Sequence, residues 1–182
     1  MKPPTESFDI QAFLAMSQAA AEHPLMNHRT LWDNGFLVRL FDGPTTPGRA
    51  DFHINQVPEL FYQLAGTLDL RVWDGERFVD HCIGAGEVYS LPALVPHRNR
   101  RPEGSVGLVV HVTRTPEQTD AILWYCEACA QQHTATVLHR VDYSVNALRE
   151  NLRTHIRAFL ADSEQRTCGV CGTVASAEQG AM

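Results

Sequence analysis

ELFYQLAGTLDLRVWDGERFVDHCIGAGEVYSLPALVPHR, residues 59–98, decides the fold. Leu68, Leu70 and Val72 alternate onto one face of residues 67–73, the period of a half-buried strand. Residues 74–76, DGE, are a hairpin turn signal, and RFVDHCI then runs back to a second break at GAGE. Upstream, Glu59, Phe61 and Gln63 share one face of residues 59–64, and Leu60, Tyr62 and Leu64 take the other. The same texture continues in FLVRLF (36–41), VYSLP and VGLVVHVT (106–113). Short strands this closely spaced, with turn residues between them, predict a mainly β chain folded as an antiparallel sandwich or barrel from about Leu31 to Thr113.

Both flanks differ from this centre. Residues 7–22 predict a helix with Ser7 as N-cap, Phe8, Phe13, Leu14 and Met16 on its apolar side, and Pro24 beyond its end. After Pro116 the text changes again. VDYSVNALRENLRTHIRAFLAD (141–162) reads as an amphipathic helix through Val145, Leu148, Leu152, Ile156 and Phe159. The organisation expected is a β domain with its N-terminal helix over residues 1–116 and a C-terminal extension over residues 117–182. The 182 residues carry 15 basic and 21 acidic side chains without a basic run, which argues against a nucleic-acid partner. No apolar stretch approaches a bilayer span or a signal-peptide core, so no membrane association and a cytoplasmic location are expected.

Two groups of residues carry metal chemistry. His53, Glu59 and His97 are two imidazoles and a carboxylate, a set that binds ferrous iron on one face and leaves the other open for dioxygen and a substrate. Phe61, beside Glu59 on the inward face, suits an aromatic substrate. The alternative is a β-rich domain with ordinary surface histidines. Cys126-x2-Cys129 and Cys168-x2-Cys171 supply four thiolates, the pattern of a tetrahedral zinc or single-iron site with a structural role. The remaining cysteine, Cys82, reads as a small core residue.

Gly66 follows Glu59 at the end of one strand, and Gly86, Pro92 and His97 follow in order. These resemble the two short motifs of the cupin superfamily, small antiparallel barrels with a metal in the mouth. Where many cupins have a second histidine two residues after the first, this chain has Asn55. With the cysteine knuckles, and with the segments LWDNGFLVRLFDGP, RADFH, ELFYQLAG, LPALVPHRNRRPEGS, WYCEAC and CGVCG, the chain resembles bacterial 3-hydroxyanthranilate 3,4-dioxygenases from about Arg29 to Gly172. The resemblance implies a homodimeric oxidoreductase, a non-haem Fe(II) dioxygenase that opens the ring of 3-hydroxyanthranilate with O2. It implies that His53, Glu59 and His97 are the iron ligands and that Cys126, Cys129, Cys168 and Cys171 hold a second, rubredoxin-like iron (or zinc). It further assigns Arg49 to dioxygen and substrate and Arg101 to the substrate carboxylate, a match for a guanidinium fork.

One position departs from the family. Where it carries a glutamate, this chain has His111, on a face with Val109 and Thr113. His111 is a candidate for altered specificity, acid–base chemistry or an additional ligand role. Two alternatives therefore stand beside 3-hydroxyanthranilate cleavage: oxidation of another small aromatic in a biosynthetic pathway, and a non-catalytic cupin that binds an aromatic ligand.

Overall fold

The computed structural model describes residues 7–12, 28–45, 49–144 and 148–177. Among the described residues, eleven strands form two antiparallel sheets. The first has the order β1 (His28–Asp33), β2 (Phe36–Asp42), β9 (Val106–Val112), β4 (Glu59–Ala65) and β7 (Val88–Leu91). The second has the order β11 (Val137–Ser144), β10 (Thr119–Tyr125), β3 (Phe52–Ile54), β8 (His97–Arg100), β5 (Thr67–Trp73) and β6 (Phe78–Gly84). The fold is the expected mainly β cupin. The alternation read for residues 59–73 holds: Glu59, Phe61, Gln63, Leu68, Leu70 and Val72 are all buried.

The core between the sheets is built from Phe61, Leu68, Leu70, Val72, Ile83, Leu91 and Val109. Burial of such side chains contributes roughly 1.5–3 kcal/mol each before conformational entropy is subtracted. The β5–β6 hairpin turns where expected: Asp74 Oδ1 accepts hydrogen bonds from the backbone N–H of Glu76 and Arg77, and Gly75 takes a φ of +105°.

The C-terminal part corrects the sequence reading. Residues 141–144 belong to β11, and the amphipathic helix α2 spans Leu148–Ala161. Residues 141–144, read as the start of that helix, are held instead by the seven residue pairs between β10 and β11, a tertiary ladder that local propensity does not see. Val145 lies outside the described residues. Leu152, Ile156 and Phe159 are buried as expected, in a second core with Ile122, Trp124 and Tyr143. There the Phe159 ring stacks on Trp124 at 4.2 Å. β10, although it follows residue 116, pairs with β3 and so extends the barrel sheet. Two short helices, α1 (Glu127–Ala130) and α3 (Ser163–Arg166), carry the chain past the cysteine pairs.

Two further expectations are corrected. Cys82 is exposed, because β6 is the edge strand and its alternation turns Ile83 inward and Cys82 outward beside Asp69. At the N-terminus the helical residues 10–12 are capped by Asp9, whose carboxylate accepts from Ala12 N–H at 2.9 Å, and not by Ser7. Phe13, Leu14, Met16 and Pro24 lie outside the described residues.

Candidate active site and metal centre

The inward faces of the two sheets meet at a cavity lined by both histidines and the glutamate of the sequence triad. His53 and His97 face each other in register across β3 and β8, with ring centroids 6.0 Å apart. Glu59 comes from the opposite sheet, on β4, and its Oε2 lies 3.1 Å from His97 Nε2. His97 Nδ1 is 3.0 Å from the Val95 carbonyl and donates to it, which turns the lone pair of Nε2 toward Glu59. Two acceptors at 3.1 Å need a cation or a proton between them, so this part of the site fits a metal. His53 is on the same wall, but its Nε2 contacts Arg49 Nη2 at 3.0 Å and Asp51 Oδ2 at 3.1 Å. Phe61 is brought to the site as backing: its ring meets His97 edge-on at 6.3 Å within the core. Asn55 is buried and lines the cavity.

Glu59 carries its charge firmly. Burial opposes ionisation, but the hydrogen bond and charge of His97, with His111 and His53 behind, hold its pKa at about 2. Asp51, missed in the sequence reading, is the anchor of the Arg49 side. It is 2% exposed, accepts from Arg49 Nε at 3.0 Å and forms an ion pair with Arg49 Nη2. Burial would raise its pKa, yet the Arg49 charge and the bonds from His53 and Arg49 drive it well below the carboxylate range.

Arg101 is 5% exposed and has no carboxylate against it among the described contacts. Its Nη1 donates to Gln63 Oε1 at 2.9 Å, its guanidinium lies 5.4 Å over the Phe41 ring, and its Nη2 has no partner. Burial lowers its pKa to about 10, so it stays charged at neutral pH. The space for this arrangement comes from Gly107: a Cβ there would sit 2.6 Å from Gln63 Oε1 and 2.8 Å from Arg101 Nη1.

His111 is buried on β9, in register with Glu59. Burial first, then the nearby Arg114 charge, pushes its pKa down to about 4, so the ring is neutral at pH 7. Arg114, Asp120, Tyr143 and Leu152 complete the wall, so the C-terminal extension helps enclose the cavity. Leu152 was legible only as part of the helix's apolar face, and none of the four was read as a site residue. Asp120 is held by Gln56, 64 positions away, whose N–H donates to its Oδ1.

The four cysteines form the second centre, with their sulfurs all within 4.8 Å of one another. Cys126 Sγ lies 3.6 Å from Cys171 Sγ, and Cys129 Sγ 3.8 Å from Cys168 Sγ. A tetrahedron with metal–sulfur bonds of about 2.3 Å has sulfur–sulfur edges of about 3.8 Å, so the set fits one metal ion and is too open for disulfides. Hydrogen bonding from Thr173 lowers the Cys171 thiol to about 6, whereas burial lifts Cys126 to about 12. Arg98 ties this knuckle to the barrel: it follows His97 in β8 and its Nη1 donates to Glu127, next to Cys126, at 2.8 Å.

A mainly β cupin barrel with an imidazole–carboxylate cavity and a separate four-thiolate knuckle is thus the class that fold and sites define. Comparisons with known proteins are more specific. Residues 3–160 match the family described as 3-hydroxyanthranilic acid dioxygenase. The 3-hydroxyanthranilate 3,4-dioxygenase of Candida albicans is 38% identical over 156 residues, covering 86% of this chain and 87% of the relative. That of Jannaschia sp. (strain CCS1) is 36% identical over 169 residues, covering 92% and 90%. A solved cupin-2 domain protein from Shewanella frigidimarina matches with a TM-score of 0.43 at 19% identity, covering 56% of this chain and 92% of that one. The chain belongs to the 3-hydroxyanthranilic acid dioxygenase family. Among the described residues, no helix is long and apolar enough to cross a membrane.

Proposed function

We propose that this protein cleaves the ring of 3-hydroxyanthranilate, or of a related ortho-aminophenol, with dioxygen at a ferrous ion held by His53, Glu59 and His97. The observation that carries the reading is Arg101: a buried, charged guanidinium with an unpartnered Nη2 in the lining of the cavity that holds Glu59 and His97. A substrate carboxylate is the group whose geometry and charge complete it. Iron bound at the triad supplies a centre at which an electron-rich ring and dioxygen meet and exchange electrons.

The protein's own residues do the rest. Arg101 anchors the carboxylate and sets the ring's position, with Gln63 and Ser105 holding the guanidinium. Arg49, oriented by Asp51, keeps a positive charge beside His53, where negative charge on oxygen gathers. Phe41, Val109 and Leu152 give the cavity apolar walls that exclude water. Phe61 supports His97 from behind and reaches the substrate only through it. His111, neutral at working pH, is the acid–base candidate.

The four-thiolate knuckle is assigned a structural, rubredoxin-like iron, with zinc as the alternative; visible absorption of the purified protein separates them. A homodimer is the assembly implied by the family. Phe36, Leu60, Tyr62, Val88 and Val112, exposed together on the outer face of the first sheet, are the surface assigned to it.

Anaerobic loading with Fe(II), followed by 3-hydroxyanthranilate and oxygen, is expected to consume one O2 per ring opened. The product should gain both oxygen atoms by mass spectrometry with 18O2. No uptake with 3-hydroxyanthranilate or any ortho-aminophenol would sink the reading. A second reading, oxidation of a differently substituted aromatic, is favoured by one observation: His111 lines the cavity beside Glu59, in register with it on the neighbouring strand. Oxygen uptake with another aromatic but not with 3-hydroxyanthranilate would select it; binding without turnover would select a non-catalytic cupin.

A further inference from the structure

The two sheets build the cavity in levels. On β4 and β9 three inward pairs follow one another in register: Glu59 with His111, Phe61 with Val109, and Gln63 with Gly107. From the other sheet, β8 supplies a matching column. His97 and Asn99 lie two apart on one strand face, and Arg101 follows just past the strand end. Arg98, between the first two, turns the other way, over the Phe52 ring and to Glu127. The pairing with β5 agrees. Val72 and Leu70, both in the core, are the partners of His97 and Asn99, and directly opposed residues share a sheet face.

Contacts across the sheets fix both ends of this column. His97 Nε2 meets Glu59 Oε2 at 3.1 Å, and Arg101 Nη1 meets Gln63 Oε1 at 2.9 Å. Asn99 is thereby held at the middle level, with Phe61 and Val109. It lines the cavity together with His97, Val109 and Arg101. Among the described residues, no hydrogen bond satisfies its carboxamide. A polar group has thus been placed at an apolar level, facing the space a ligand would fill.

We infer that Asn99 is a specificity-determining residue whose carboxamide takes the ring substituent lying between the metal-facing oxygen and the carboxylate, which in 3-hydroxyanthranilate is the amino group. The inference rests on the ligand placement proposed above, with the oxygen toward Glu59 and His97 and the carboxylate on Arg101. A ring that joins those two ends passes Asn99. Its Oδ1 accepts from an amino N–H there, and its Nδ2 donates to a hydroxyl oxygen; a bare C–H leaves the amide without a partner. Leaving such a group unmatched under a bound ring weakens binding roughly five- to 150-fold. The chemical class selected is a 3-hydroxybenzoic acid that carries a hydrogen-bonding group on the carbon between its two other substituents.

The test is a cycle that changes ligand and protein together. 3-Hydroxyanthranilate and 3-hydroxybenzoate, which lacks only the amino group, are titrated without oxygen into the Fe(II)-loaded protein and into Asn99→Leu, a change of similar size beside Leu70. The weaker ligand is read by displacement of the stronger. Asn99→Leu is expected to lower the preference for the amino compound at least fivefold. Any bond from the amino group to the metal is common to both proteins and cancels from the ratio. Asn99→Ala, which opens space where leucine fills it, is expected to move the ratio the same way and carries the test if the leucine variant does not fold. A ratio unchanged by substitution overturns the inference, even if both ligands weaken, and makes Asn99 part of the cavity's frame. Arg101→Met separates the inference from the reading beneath it. If that variant weakens both ligands while the ratio ignores Asn99, only the inference falls. If neither ligand binds the unaltered protein, the ligand placement falls and takes the inference with it.

Discussion

Replacing Arg101 with methionine removes the cavity's anion anchor and keeps most of its volume. The effect on folding is a near-cancellation. The variant loses the Nη1 bond to Gln63, made at 2.9 Å by a charged donor and worth about 1.5–3 kcal/mol. It also removes a desolvated cation whose Nη2 is unpartnered, a relief of about 1–3 kcal/mol. The net change in stability should stay within about 2 kcal/mol, or roughly 4–8 °C in Tm for a chain of this size. Binding has no such offset. Truncating one partner of a buried charge pair costs about 2–5 kcal/mol, so the affinity for 3-hydroxyanthranilate should fall from about 30-fold to several-thousand-fold. 2-Aminophenol, which lacks the carboxylate, should bind nearly as before. Anaerobic calorimetric titration of both ligands, with differential scanning calorimetry of the variant, decides. Equal losses for the two ligands, or a Tm drop well beyond 8 °C with 3-hydroxyanthranilate affinity intact, would refute the reasoning and make Arg101 a structural residue.

Four further outcomes are expected. Gly107→Ala, whose Cβ would meet Gln63 Oε1 at 2.6 Å and Arg101 Nη1 at 2.8 Å, should cost about 1–3 kcal/mol in urea unfolding and weaken carboxylate ligands in the same direction as loss of Arg101. Cys129→Ser should release the knuckle's metal and lower Tm by at least 6 °C, consistent with about 3 kcal/mol or more held in such a site; metal analysis finding the ion retained with unchanged Tm speaks against it. His111 has its pKa pushed from 6.5 to about 4 in the folded chain, so the unfolded chain binds the extra proton first. Its contribution is whole above pH 6.5 and is lost as pH falls toward 4, by up to about 3 kcal/mol. His111→Gln should flatten that part of the stability profile, and parallel profiles would contradict the assignment. Phe159→Ala, which empties the stack on Trp124, should cost about 3–5 kcal/mol and remove the near-ultraviolet dichroism of that tryptophan.

Much of the molecule was legible because its signals are local. Period-two alternation placed β4, β5 and β9 with the correct buried faces, and the DGE turn placed the hairpin between β5 and β6. The two cysteine pairs announced a four-sulfur cluster, which the fold gathers within 4.8 Å. The failures have physical causes too. Residues 141–144 were read as the first turn of the C-terminal helix but were taken by the ladder to β10. Cys82 lies on an apolar-looking strand, yet only the strand order makes that strand an edge. Ser7 and Asp9 are both able to cap a helix, and the start of the first turn chose Asp9.

By itself, then, the sequence determined strand periods, turn positions, the metal-binding residue types and the departure at residue 111, because each depends on neighbours a few positions apart. The tertiary structure alone decided which side chains meet. Glu59 and His97 come from opposite sheets and are joined at 3.1 Å by the way those sheets close. Asp51 supports Arg49 and His53, Gly107 makes room for Arg101, and the Arg114–Asp120 ion pair packs against His111. A hydrogen bond or ion pair depends on angstroms between atoms brought together by chain closure, and no spacing along the chain encodes that distance.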